Sequence, residues 1–131
     1  GFRICTAEIY RNVESIEGVN DSLIVNLELS QGRSYMPLFV VLEDGGSLNA
    51  HLLSQIRCVL SQHCSPRHVP DEVYNIPQVP YTLTGKKQEI PIKKLLSGQA
   101  SEDSLNRGAC ANPEALDYFV DLAKRLKVQL A

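Results

Sequence analysis

The 131-residue sequence has no long apolar run; stretches such as Met36 to Leu42 are far too short to cross a bilayer. No signal-peptide pattern is visible. There is no basic excess either. The formal net charge is −2, so the electrostatic footprint of a nucleic-acid surface is missing. The four cysteines, Cys5, Cys58, Cys64 and Cys110, form no C-x-x-C pair. Cys58 and Cys64 have five residues between them, with His63 adjacent, a spacing that matches no common zinc pattern. They read as reduced thiols, no metal site is expected, and the cytoplasm is the expected compartment. Repeats and low-complexity tracts are absent. The chain opens on Gly1-Phe2-Arg3-Ile4 without an initiator methionine, and the expectation is a piece of a longer polypeptide that starts just before a strand. What remains is ordinary: 44% hydrophobic and 21% charged residues, in a length that buries a core without needing disulfides or metal.

Hydrophobic periodicity orders the chain. Phe2 to Ile4 reads as a short strand. Thr6 is a good N-cap, and Ile9, Val13 and Ile16 recur at helical spacing up to Gly18. Asp21 to Leu29 alternates as a strand, with Leu23, Val25, Leu27 and Leu29 on one face. After the turn at Ser30 to Ser34, Met36 to Leu42 is almost wholly apolar, as in a strand buried on both faces. The two strands are expected to pair as an antiparallel hairpin. Ser47 is placed to cap a helix running to about His63, with Leu52, Ile56, Val59 and Leu60 inward. Asp71 to Ile76 is another short strand. Lys86 to Ile90 reads as a strand, followed by a helix over Ile92, Leu95 and Leu96 with Pro91 in its first turn. Ser97 to Ala111 is polar and reads as an exposed linker. Asn112-Pro113 starts a last helix striped by Leu116, Phe119, Val120, Ala123 and Leu126. The fold class expected is α+β, a small mainly antiparallel sheet with helices packed on its faces. The expected division is a main body over residues 1–98, with 99–131 as linker and helical extension of the same domain.

Three segments carry residues suited to chemistry. In Pro80 to Lys87, Gly85 permits a backbone path closed to other residues, and Thr82 and Thr84 can hold the loop by their hydroxyls. Lys86 can set a point charge against a phosphate or a carboxylate. By residue type alone the plain reading is a turn with two solvated lysines. It is not a Walker A loop, whose first glycine would fall where Pro80 stands. Gly1 and Arg3 could line a ligand path, or simply begin a strand. Arg67 and His68, between Pro66 and Pro70, could meet an anion or a proton, or form a rigid connection. Glu8 could be a base, but it suits the first turn of a helix as it stands.

Taken together, Gly1-Phe2-Arg3-Ile4-x-Thr6-Ala7-Glu8-Ile9 and Pro80-x-Thr82-x-Thr84-Gly85-Lys86 resemble two landmark motifs of the adenylate-forming superfamily. That superfamily includes acyl-CoA synthetases, firefly luciferase and nonribosomal peptide adenylation domains. Both motifs belong to its mobile C-terminal domain. Ser65 to Pro70, Val79 to Lys87 and Asn112 to Asp117 are similar to the acetoacetyl-CoA synthetase group, and the likeness runs to about Leu126.

The resemblance implies a two-step ligase. ATP and acetoacetate give acetoacetyl-adenylate and pyrophosphate, and CoA then gives the thioester and AMP. It implies that Lys86 is catalytic, contacting the acyl carboxylate and the α-phosphate region, with Thr82, Thr84 and Gly85 as loop support. It implies that Gly1 lines the CoA channel and that Arg3 lies near the nucleotide phosphate. ATP and CoA are then substrates, Mg2+ arrives with ATP, and no cofactor is held by this domain alone. The implied partners are an N-terminal adenylation domain of the same polypeptide, and a lysine acyltransferase and deacylase acting on Lys86. Nucleic acid and membrane are not expected partners. Two alternatives stay open: a non-catalytic regulatory or interaction module of the same fold, and a synthetase for another short acid.

Overall fold

The computed structural model describes residues 6–28, 34–43, 48–63, 70–98 and 107–130. The first strand expected from the sequence, Phe2 to Ile4, lies outside these. So do Gly1, Arg3, Cys5, Cys64, Arg67 and His68. The chain divides into two compact units, Gly1–Ile24 with Met36–Pro77, and Val25–Tyr35 with Gln78–Ala131.

The first unit is a three-stranded mixed sheet with two helices on one face. Helix α1 (Thr6–Glu14) carries Glu8 in its first turn, where a carboxylate meets the positive end of the helix dipole. Strand β1 (Val19–Ile24) follows a turn in which Gly18 takes φ +96°, a left-handed conformation that glycine adopts without steric cost. β1 pairs antiparallel with β4 (Pro37–Leu42), and β4 pairs parallel with β5 (Glu72–Asn75), giving the order β1-β4-β5. β4 is central, and its first four residues are buried. Its apolar run is therefore a strand covered on both faces, as its composition indicated. Pro37 occupies the first position of that strand, where a missing N–H is tolerated.

On one face Ile24, Leu38, Val40 and Val73 pack with Ile9 and Val13 of α1 and with Ile56 and Leu60 of α2 (Ala50–His63). On the other, Leu23 and Phe39 are fully buried, and the Phe39 ring stacks on Tyr74 at 5.3 Å. Two side chains fix the ends of the sheet. The Tyr10 hydroxyl accepts the Ile24 N–H at 3.2 Å and donates to its carbonyl at 3.4 Å. Asp71 accepts the Met36 N–H at 2.7 Å and donates its own N–H to the Met36 carbonyl.

Three expectations are corrected here. The strand expected over Asp21 to Leu29 is broken: β1 ends at Ile24, and β2 (Leu27–Glu28) pairs with β3 (Ser34–Tyr35) in a separate two-stranded ribbon. Leu23, Ile24, Val25 and Leu27 are all buried, so the alternation on which the single strand rested does not hold. Helix α2 begins at Ala50, later than Ser47, because Asn49 caps it by accepting the Leu52 N–H at 2.8 Å. The strand expected over Lys86 to Ile90 reduces to one bridge at Lys87, since helix α3 (Glu89–Leu96) has already begun. Pro91 sits in its first turn, where N–H groups lack intrahelical partners.

The second unit is built on α3 and α4 (Glu114–Leu130), which pack together. Ile92, Leu95 and Leu96 of α3 are buried, as are Leu116, Phe119, Val120 and Leu126 of α4. Ala115 and Leu122 widen the stripe beyond the sequence reading, while Ala123 is only partly buried.

Truncating Leu60, which is 0% exposed, removes contacts from both helices and the sheet. Leu60→Ala is expected to destabilise folding by about 2–5 kcal/mol, while Gln55→Ala on the exposed face of α2 stays within about 0.5 kcal/mol. Chemical denaturation of the two variants checks the difference.

Candidate functional site

Proline opens the candidate loop and glycine closes it. Pro80 has no N–H to offer, yet its carbonyl accepts the Gln88 N–H at 3.0 Å, which draws the two ends of the loop together. Inside that closure Tyr81 bridges Lys87, and the Thr82 N–H donates to the Lys86 carbonyl at 2.7 Å. The turn itself is sealed by the Gly85 N–H on the Thr82 carbonyl at 2.9 Å. Gly85 stands at φ +88°, and a Cβ built on it would meet nothing within 4 Å. Backbone conformation, not crowding, is what calls for glycine there.

The two threonines complete the turn. Their hydroxyls lie 2.9 Å apart, and Thr82 Oγ1 also accepts the Lys86 N–H at 3.0 Å. A β-branched residue with a hydroxyl is suited to both tasks, since it favours extended backbone and supplies an acceptor.

The opposite edge of the loop is also paired. Thr82 bridges Cys110, the Leu83 N–H donates to the Ala109 carbonyl at 3.2 Å, and the Ala111 N–H donates to the Tyr81 carbonyl at 2.9 Å. The segment that the sequence presented as a linker thus ends in a short 3-10 turn (Arg107–Ala109) and a strand-like edge on the loop. Tyr81 and Thr82 lie between two chain segments, each hydrogen-bonded to them.

Sequence reasoning missed Asn112. It was read as a helix start, and its carbonyl does accept the Ala115 N–H at 2.9 Å. Its side chain faces the loop instead. Oδ1 accepts the Tyr81 N–H at 3.0 Å and lies 3.7 Å from the Cys110 thiol. Nδ2 donates to the Val79 carbonyl at 2.9 Å and to Gln78 Oε1 at 3.1 Å. Gln78 in turn donates to Glu114, at the start of α4, at 3.3 Å. The spacing of Asn112 from Val79 carries no sequence signal, because the two meet only through the fold.

Lys86 is exposed at the end of this braced turn, and among the described residues its ammonium has no carboxylate partner. Lys87 beside it is partly buried and has interactions of its own. Leu83, at the tip, is 69% exposed. The arrangement is a rigid backbone presenting one cation outward. Among the described residues no group of three histidines, cysteines or carboxylates could hold a metal ion. Cys58 is exposed and Cys110 is buried, and both are free thiols.

The same fold recurs in known proteins. An acetoacetyl-CoA synthetase from Streptomyces lividans superposes with TM-score 0.81 at 39% identity, over 92% of this chain and 18% of that one. The acetoacetyl-CoA synthetase of Caenorhabditis elegans is 37% identical over 121 residues, which is 92% of this chain and 17% of the relative. The chain is thus similar to one segment of acetoacetyl-CoA synthetases, and its fold matches the C-terminal domain of adenylate-forming acyl-CoA synthetases. The mouse enzyme of the same name is 36% identical over 122 residues, 93% of this chain and 18% of the relative. A Brucella canis acyl-CoA synthetase shares the fold at TM-score 0.64 and 21% identity, over 76% of this chain and 19% of that one. No family model matches the chain. The chain spans less than a fifth of the length of these curated relatives.

Thr82→Val keeps the β-branched shape and removes the acceptor of the Lys86 N–H. The Lys86 amide is expected to exchange with solvent roughly fivefold faster, in line with losing one hydrogen bond of about 1 kcal/mol. Thr82→Ser is expected to keep protection near that of the parent. Amide exchange followed by NMR reads both.

Proposed function

We propose that this chain is the lysine-bearing, mobile domain of an AMP-forming acid–thiol ligase acting on acetoacetate. The supporting observation is the exposed Lys86 ammonium at the end of a turn fixed by Gly85, Thr82 and Thr84. The names of the relatives at 35–39% identity support the acyl class.

Adenylation brings two anions together. A carboxylate oxygen of acetoacetate attacks the α-phosphorus of ATP, the new C–O–P bond forms, and pyrophosphate leaves. Lys86, placed between carboxylate and α-phosphate, offsets their repulsion and the charge that builds at phosphorus. Because the turn is already formed, little backbone order has to be created during the reaction. In the second step the CoA thiolate attacks the acyl carbon and AMP leaves. In the proposed scheme the domain swings to present the Gly1 side, where Gly1 lines the pantetheine path and Arg3 lies near the nucleotide phosphate.

The nucleotide and acyl pockets belong, in this proposal, to an N-terminal adenylation domain of the same polypeptide. Mg2+ enters as part of the ATP substrate, and no step on this chain is routed through it. The proposal places the enzyme in the cytoplasm. No helix among the described residues is long and apolar enough to cross a membrane. Acylation of Lys86 by a lysine acyltransferase would remove the charge and stop adenylation, and a deacylase would restore it.

Lys86→Ala in the whole polypeptide is expected to lower ATP–pyrophosphate exchange with acetoacetate by roughly 100- to 1000-fold. Thioester formation from preformed adenylate stays near the parent rate. Gly1→Leu is expected to give the opposite pattern. Equal loss in both half-reactions would contradict the role given to Lys86. No exchange with acetoacetate but robust exchange with another short acid would reassign the substrate, and no exchange with any acid would favour a non-catalytic module.

A further inference from the structure

Pro80 leaves a gap in the hydrogen bonding of the segment that enters the lysine loop. It has no N–H, so the groups to be satisfied around it are the Val79 carbonyl and the Tyr81 N–H. The Asn112 side-chain amide meets both, donating to Val79 at 2.9 Å and accepting from Tyr81 at 3.0 Å. In a parallel ladder one residue donates to the carbonyl of i−1 and accepts from the N–H of i+1. Asn112 reproduces that rung with its side chain, taking Pro80 as i. Its second N–H goes to Gln78 Oε1, and the Cys110 thiol stands 3.7 Å from its oxygen, so both donors and the acceptor are engaged.

Gln78 extends the contact to Glu114 in the first turn of α4. The segment entering the loop is therefore held by Asn112, two residues before α4 begins. The Thr82 and Gly85 contacts shape the turn from within, whereas Asn112 sets the direction in which the whole turn leaves Val79. A change of that direction displaces Lys86 without unfolding the turn.

We propose that Asn112 is a positioning residue for adenylation, acting through the lysine loop and making no contact with substrate. This rests on the role of Lys86 proposed above. An acidic residue is the sharpest replacement. Asn112→Asp keeps the shape and one acceptor but loses both donors, and it sets a carboxylate against the Val79 carbonyl and Gln78 Oε1.

The experiment uses the whole polypeptide and measures both half-reactions for Asn112→Asp, Asn112→Ala, Lys86→Ala and the double variant Asn112→Asp/Lys86→Ala. Asn112→Asp and Asn112→Ala are expected to lower the adenylation kcat by roughly 10- to 100-fold, the scale of a loop displaced by about an ångström, with KM for ATP and acetoacetate little changed. Thioester formation from preformed adenylate stays at the parent level. In the Lys86→Ala background the Asn112 change is expected to cost nothing further, because its effect passes through that lysine.

Full additivity in the double variant overturns the proposal, as does equal loss in both half-reactions or unchanged adenylation. Amide exchange on the same variants guards against misfolding. Faster exchange at Tyr81 and Lys86 with Phe119 unchanged supports the assignment, and faster exchange along α4 as well reduces Asn112 to a helix-start residue and overturns it. If Lys86→Ala itself leaves adenylation intact, the role of Lys86 fails first and this inference falls with it.

Discussion

The pairing of Tyr81 and Thr82 on both edges is the constraint on which the candidate site depends. A short loop carrying one glycine and two threonines is not rigid by composition. It becomes so because one edge closes on Lys86 to Gln88 and the other on Ala109 to Ala111. Each hydrogen bond is worth only about 1 kcal/mol, but together they leave the turn few ways to move. The cost of ordering the backbone is met during folding, and the lysine side chain is left as the flexible part.

That division suits a domain that completes a site made elsewhere. A cation buried in its own domain would be held by local carboxylates and lost to the substrate. Lys86 is instead exposed, while Lys87, one residue on, is partly buried and engaged within the domain. The two lysines are alike in sequence and differ in what the fold does with them. Function of this kind sits on a loop carried by a packed scaffold, here the two-helix layer of α3 and α4 and the strand-like edge beside it.

Much of the fold was legible in the chain itself. The buried run of β4, the amphipathic stripe of α2 and the helix after Asn112-Pro113 follow from apolar spacing, which the packing then uses. The break after Ile24 was not legible, because continuous burial of Leu23 to Val25 erases the alternation that marks strand faces. The start of α3 was misread as strand, because Lys86 to Ile90 has no periodicity of its own and Glu89 gains from the helix dipole only once the helix exists. The lysine loop was visible as a motif, through Gly85 and its two threonines. Its bracing was not, since Cys110 and Asn112 reach it only through tertiary structure. Residue type made Asn112 a good helix start, and nothing in the sequence indicated that its amide would stand in for a missing strand.

The most direct measurement is a structure of the whole polypeptide bound to a non-reactive analogue of the acyl-adenylate. The account predicts the Lys86 ammonium within about 3 Å of the acyl oxygen or the α-phosphate group. The hydrogen bonds of Thr82, Gly85 and Asn112 are expected to stand as they do in this chain. Lys86 lying in solvent while another cation occupies that position would contradict it.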